Sequence, residues 1–317
     1  MKSDLIDVHA PRRPQLSPRR ETSTYAIHKV RAAAQRLETI LFDELPEWCQ
    51  DNPAVKSGYR QISNSTAACF KSLVSLHNET VNIHTHLVPA IALAFFQVFV
   101  QTKIQQFFPQ APLLDRVVIG VNVLAAMVTF TLSAFYHTLI CHSMHVSLLW
   151  LRIDYVGILT LIVGSFFSGI HVGFYCMPTL RTLYWTMIIT LSVGTATLVL
   201  HPSFQAFKYR TLKAYAFTAT AMTGFAPIGH GLYLYGWDAM WTRSGMPYYL
   251  LEGVFYALGV FFFVSRVPES VWPISFDIWL SSHQLFHVLV VVAAATHIYG
   301  VWQAFAWNYS NPGACRA

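Results

Sequence analysis

Seven apolar stretches, at 83–105, 114–140, 153–176, 182–200, 213–235, 246–265 and 279–305, decide the kind of fold open to this chain. A helix needs about 20 predominantly apolar residues to cross the hydrocarbon core of a bilayer. The second stretch is the cleanest: Val117 to Ile140 contains no Asp, Glu, Lys or Arg. Only 11% of the chain is charged and 54% is hydrophobic, whereas a soluble domain carries about 25% charged residues. Short connections such as Phe108-Pro109-Gln110-Ala111-Pro112 separate the stretches, as helix bundles prefer. The expected fold is therefore all-α: an integral, multi-pass membrane protein with a bundle of seven transmembrane helices.

The flanks read differently. Residues 1–24 are rich in Pro, Arg and Ser and lack an apolar signal-peptide core, so they are expected to be a disordered tail. Residues 25–78 are expected to carry amphipathic helices. Ile27, Val30, Ala34, Leu37 and Leu41 recur at helical spacing through 25–45, and Pro46 ends that pattern. A second short helix is expected over Thr66 to Leu76, with Cys69, Phe70, Leu73 and Val74 on its apolar side. The transmembrane domain then covers 79–306, and 307–317 form a short tail. The net charge of +6 lies mostly in the first 71 residues and a few loops, so it is not a nucleic-acid signature. The five cysteines form no CxxC pair, which argues against a thiolate zinc site.

Lysine and arginine set the orientation. With the N-terminus in the cytoplasm, 16 of the 21 fall inside; the other five are Lys103, Arg116, Arg181, Arg243 and Arg316. Seven spans then put the C-terminus outside. On this topology a set of polar residues meets at one depth. His283 and His287 are four apart at the start of the seventh span, on one face of a helix. His137 lies near the inner end of the second span, one turn beyond Ser133, and Asp154 opens the third. Histidine in a membrane segment is expensive and is by default a functional hypothesis. Three neutral imidazoles suit zinc, with a fourth position left for water, whose pKa such a site lowers to about 7. Asp154 could take a proton from that water or orient a ligand, and Ser133 could hydrogen-bond a substrate carbonyl. Plainer alternatives stand beside these: Ser133 as a small packing residue, and Asp154 as a helix-start residue paired with Arg152.

Four ordered motifs carry a resemblance. They are Glu79-Thr80-Val81-Asn82-Ile83-His84-Thr85-His86-Leu87; Ser133-x3-His137-x3-Cys141-His142-Ser143; Asp154-Tyr155-x-Gly157-Ile158; and Ser282-His283-Gln284-x-Phe286-His287-x-Leu289-Val290. Together they resemble the progestin and adipoQ receptor family, the adiponectin-receptor and haemolysin-III superfamily. Leu45-Pro46-Glu47-Trp48 and Phe276-Asp277-Ile278-Trp279 are similar to its adiponectin-receptor branch, and fungal members tied to zinc and to sterol or lipid metabolism are the nearest neighbours.

The resemblance implies zinc on the positions of His137, His283 and His287, with Ser133 and Asp154 beside it. It implies hydrolysis of ceramide-like amides within the membrane, with a lipid substrate and a fatty-acid product. The family's fatty-acid carboxylate contacts fall on Tyr155 and on a basic residue after the fourth span, here Lys213 where arginine is expected. The alternative is a seven-helix receptor or sensor with a structural zinc, acting in lipid and zinc homeostasis and answering an extracellular protein ligand. A transporter has less support, since no internal repeat or pair of broken helices is visible. Glu79, Asn82, Thr85 and His86 are expected to form a polar network locking the first span. His84, His142 and His145 are expected to be solvated, and His230 and His297 to be packed and hydrogen-bonded. A bridge between Cys176 and Cys315 is expected only weakly. Pro227 and the glycines around it are expected to kink the fifth span and open a gap for a lipid chain.

Overall fold

The computed structural model describes Val30 and residues 38–311. Among these residues nine α-helices follow one another: α1 (Thr66–Lys71), α2 (Thr80–Phe107), α3 (Leu113–Leu139), α4 (Met144–Gly173), α5 (Pro178–Leu200), α6 (Arg210–Met222), α7 (Phe225–Arg243), α8 (Met246–Ser265) and α9 (Ser282–Ser310). No strand forms among them; Ile40 and Tyr59 make one isolated antiparallel bridge. Six helices, namely α2, α3, α4, α5, α8 and α9, are long and apolar enough to cross a membrane. The fifth expected span, 213–235, falls on the broken pair α6 and α7, which is not among those six. The chain is thus an integral multi-pass membrane protein built as a helical bundle.

The break in the fifth span has a local cause. Proline has no N–H to give, and its ring collides with the carbonyl four residues earlier. For Pro227 that carbonyl belongs to Thr223, and the helix parts at Thr223 and Gly224. A second departure follows at Gly236, where φ is 76° inside α7. The third span also differs from expectation. It starts at Met144 rather than 153, because nothing between 144 and 152 breaks a helix. Asp154 is therefore in the third turn of α4, not at its start.

Residues 38–78 are mostly not helical, where helix was expected through residue 45. Glu38 adopts a left-handed conformation with φ 52°, and Phe42–Glu44 and Glu47–Cys49 make single 3-10 turns. Helix α1 stops at Lys71 and continues as a 3-10 turn. Only Cys69 of its expected apolar side is buried; Phe70 and Val74 are exposed. Residues 25–29, 31–37 and 312–317, and with them Cys315, lie outside the described residues.

The core lies between α2, α3, α4 and α9. Small residues let these helices approach, as they do wherever lipid cannot drive association. Gly164 of α4 shows this: a Cβ there would sit 2.3 Å from Ala125 Cβ of α3. Thr129 Oγ1 then donates to Gly157 O at 2.7 Å across the same interface. Phe130, Ala126, Ala294 and Val290 close the centre. The opposite faces stay apolar and uncovered, as Phe95, Val98 and Val254 do, which is how a lipid-facing surface reads. The segment before α2 and the 266–281 connection fold over one end of the bundle. Ser57 Oγ donates to Asp277 Oδ2 at 2.7 Å, and Arg60 donates to the carbonyls of His137 (2.6 Å) and Thr138 (3.0 Å). A cation there faces the negative end of the α3 dipole.

Candidate metal centre

The site begins with how α9 starts. Ser281 caps the helix in a capping box with Gln284. Glu269 accepts from Ser282 N at 2.7 Å and from Ser282 Oγ, so a carboxylate meets the positive end of the helix. Asn52 holds the same carboxylate from the segment before α2, at 3.0 Å. The register of the first two turns of α9 is thereby fixed, and with it His283 and His287.

His137, from the last turn of α3, meets both. One ring nitrogen from each of the three lies within 4.8 Å of the others. His283 Nε2 and His137 Nε2 are 3.4 Å apart. Zinc–nitrogen bonds of about 2.0–2.1 Å in a tetrahedron put ligand atoms about 3.3 Å from one another, so the spacing fits a metal ion of that size. Two of the other ring nitrogens are spoken for. His137 Nδ1 lies 2.7 Å from Glu79 Oε2, and His287 Nδ1 lies 3.1 Å from the Asn82 carbonyl oxygen. Both acceptors require an N–H at Nδ1, which leaves Nε2 unprotonated toward the centre. The donor set therefore fits a divalent cation that binds neutral imidazole.

Glu79 does more than lock the first span. A carboxylate behind a metal-ligating imidazole fixes its tautomer and raises its basicity. Asn82 Nδ2 donates to the same Glu79 oxygen at 2.7 Å and holds the carboxylate in place. Glu79→Gln is expected to weaken metal binding about 10–100-fold, measured by competition with a chelator of known affinity; unchanged affinity would remove Glu79 from the site. His86 stacks on His287 with ring centroids 3.9 Å apart, and neither of its ring nitrogens has a partner. Its nitrogens are not among the converging atoms.

Ser133 lies one turn before His137 on α3, and Asp154 lies in the third turn of α4. Both line a cavity of about 940 Å³ that also reaches His283 and His287. At the same end of the bundle, Lys213 Nζ of α6 sits 4.5 Å over the Tyr155 ring. Arg210, one turn before Lys213, lines the cavity too and donates to Phe263 O at 2.9 Å. The cavity then runs past the break in the fifth span, along Ala221, Gly224 and Pro227, toward the other end of the bundle. All seven residues singled out in the sequence thus face one space.

A profile described as haemolysin-III related matches residues 74–298. The chain belongs to that family. It is 35% identical to "ADIPOR-like receptor IZH2" of Saccharomyces cerevisiae, over 88% of this chain and 87% of the relative. It is also 35% identical to "Progestin and adipoQ receptor-like protein 1" of Caenorhabditis elegans, over 86% of this chain but 62% of that longer relative. "Heptahelical transmembrane protein 1" of Arabidopsis thaliana is 34% identical over 83% and 80%.

Among the described residues, four other histidines of this haemolysin-III-related chain have partners of their own. His230 Nδ1 is 2.9 Å from the Tyr184 hydroxyl, and His297 Nδ1 is 2.7 Å from Glu252. His84 bonds the carbonyl of Thr80 at 2.8 Å, and His142 bonds Ser143 Oγ at 3.1 Å. His145 is exposed. Cys176 is in a disulfide, and Cys49, Cys69 and Cys141 are free thiols. The sequence reading passed over the pairing of Glu79 with His137 and the position of Arg210. Glu79 was legible as a buried acid at the right depth; a basic residue one turn from Lys213 was equally in view.

Proposed function

We propose that this protein is a zinc-dependent hydrolase of N-acyl lipids, ceramide-like amides in particular, working inside the membrane. The observation that supports this best is the common space: three converging imidazoles, Ser133 and Asp154 line one lipid-sized, largely apolar cavity. His137, His283 and His287 would hold the metal. Zinc bound there would polarise a carbonyl and acidify water.

The chain's own residues supply the rest. Glu79 and the Asn82 carbonyl keep two imidazoles in the metal-binding tautomer. The apolar wall admits an acyl chain and excludes bulk water, which strengthens every charge interaction at the site. Asp154, as the carboxylate, accepts a proton from the attacking water and returns it to the nitrogen of the departing amine. Ser133 donates a hydrogen bond that positions Asp154 or steadies the carbonyl oxygen. Tyr155, Lys213 and Arg210 form the polar end that receives the carboxylate of the released fatty acid. Lysine alone offers a point charge, so the two-pronged grip falls to Arg210. Arg210→Met is expected to weaken fatty-acid binding about tenfold or more, since hydrogen bonds to charged groups contribute about 1.5–3 kcal/mol. Calorimetric titration with a fatty acid reads this directly, and unchanged binding would assign the carboxylate elsewhere.

The relatives named as receptors favour a second reading, a membrane receptor or sensor with structural zinc. A structural zinc takes four protein ligands and leaves no open position. Among the described residues three groups converge, which favours the hydrolase. The test is fatty-acid release from several N-acyl lipids by purified protein, with and without a chelator. Chelator-sensitive release supports the hydrolase; no release from any of them, with the metal in place, leaves the receptor.

A further inference from the structure

The far half of the cavity contains a polar edge that the proposed reaction does not use. His297 Nδ1 lies 2.7 Å from Glu252 Oε2, and His297 Nε2 lies 3.2 Å from Ser168 Oγ. The order serine, histidine, acid looks like a nucleophile with its base. It is not one: Ser168 is fully buried, its hydroxyl lies 3.1 Å and 3.0 Å from the carbonyl oxygens of Gly164 and Ser165, and it does not line the cavity. Ser168 anchors His297, which in turn anchors one oxygen of Glu252.

What this leaves over points to a ligand. Glu252, Tyr249 and His297 all line the cavity. Glu252 uses Oε2 for His297, and no hydrogen bond engages Oε1. The Tyr249 hydroxyl is shielded from water and has no hydrogen-bond partner. Its ring is stacked on His297, with centroids 5.0 Å apart. Tyr249 and Glu252 are three apart on α8, so they are neighbours on its surface. Gly169, on the same wall, leaves open the space where a Cβ would lie 3.7 Å from the Tyr249 hydroxyl and 3.5 Å from the His297 ring. One unused acceptor and one unused donor thus belong to residues that both pack on His297 and line one largely apolar cavity. An alcohol matches that pair, because it can donate to Glu252 and accept from Tyr249. An anionic group does not match, since it would meet the Glu252 carboxylate.

The distance sets where the alcohol must be. His287 and His297 are ten residues apart on α9, which is about 15 Å along a helix. With carbon–carbon bonds near 1.5 Å and tetrahedral angles, an extended chain covers that in about a dozen carbons.

We propose that Tyr249 and Glu252 form a second polar subsite, which binds a hydroxyl carried about a dozen carbons along the lipid chain from the group held at the histidine end. The substrate class is then a hydroxylated fatty acyl lipid. This rests on the reading of the cavity as lipid-binding. The test needs no turnover. Dodecanoic acid, 12-hydroxydodecanoic acid and 2-hydroxydodecanoic acid are titrated into the purified full-length protein, wild type and Tyr249→Phe. Wild type is expected to bind the 12-hydroxy acid about tenfold more tightly than the other two. Tyr249→Phe should bind all three alike and keep the wild-type affinity for dodecanoic acid. Its melting temperature without ligand should not change, because the lost hydroxyl had no partner. Gly169→Ala, whose methyl makes only ordinary contacts, should also remove the preference by filling the space beside Tyr249. Equal binding of all three acids by wild type would overturn the subsite and leave the lipid cavity standing. No binding of any of them would overturn both. A fall of several degrees in the melting temperature of unliganded Tyr249→Phe would also overturn the subsite, by showing that the hydroxyl is already engaged.

Discussion

Asp154→Ala protein is expected to purify folded and metal-loaded, yet to release fatty acid from an N-acyl lipid at least about a hundredfold more slowly than wild type. Positioned proton donors and acceptors contribute about 10²–10⁴-fold to such reactions. The geometry separates this residue from the metal ligands. Asp154 comes from the third turn of α4 and lines the same cavity as Ser133 and His137, but it is not among the converging ligand atoms. Its removal takes away a carboxylate that lines a cavity and leaves no cation unpaired there. The paired readouts are metal content and turnover on the same preparation. Loss of both together would make Asp154 a metal-site residue. Retention of both would leave the proposed chemistry without its proton carrier.

Removing the metal is expected to have the second large effect. His137 lies at the end of α3 and His283 and His287 at the start of α9, so a cation held by all three would link two helices of the core. A ligand that binds only the folded state stabilises it by about 4 kcal/mol when free metal is a thousandfold above the dissociation constant. Stripping with a chelator should therefore lower the thermal midpoint by several degrees, and added zinc should restore it. His287→Ala should lower the midpoint similarly and respond to neither chelator nor zinc. His287 is buried, and Asn82 O holds its ring, so part of its loss is packing. The response to metal isolates the part that is not. A wild-type midpoint indifferent to chelator would mean that nothing couples these helices through a cation.

The bundle was legible because the bilayer imposes one rule on every span, and runs such as 117–140 obey it with few exceptions. The fifth span shows where that rule stops. Hydropathy sees one segment; Pro227 and its glycines announced a kink, and its place at Thr223 and Gly224 follows from where the proline ring meets a carbonyl. The start of α4 was placed too late for the opposite reason: Arg152 and His145 look like loop residues, but nothing there prevents a helix. The three histidines could be brought to one depth from topology alone, since odd-numbered spans start, and even-numbered ones end, at the same side. What topology could not supply is which nitrogen faces the centre. That depends on Glu79 and the Asn82 carbonyl reaching across from α2, contacts between residues 58 and 205 positions apart. The segment before α2 also misled. Of the helix expected over 25–45, only Val30 and 38–45 are among the described residues, and in 38–45 Glu38 turns left-handed and Phe42–Glu44 make a single 3-10 turn.

The most direct test of the metal centre is elemental analysis of the detergent-purified protein by plasma mass spectrometry. It should cover wild type, His137→Ala, His283→Ala and His287→Ala, with His142→Ala as control. Wild type and His142→Ala should carry one zinc per chain, and each of the other three should carry almost none. Wild-type protein without stoichiometric metal, or full zinc in all three ligand variants, would contradict the account.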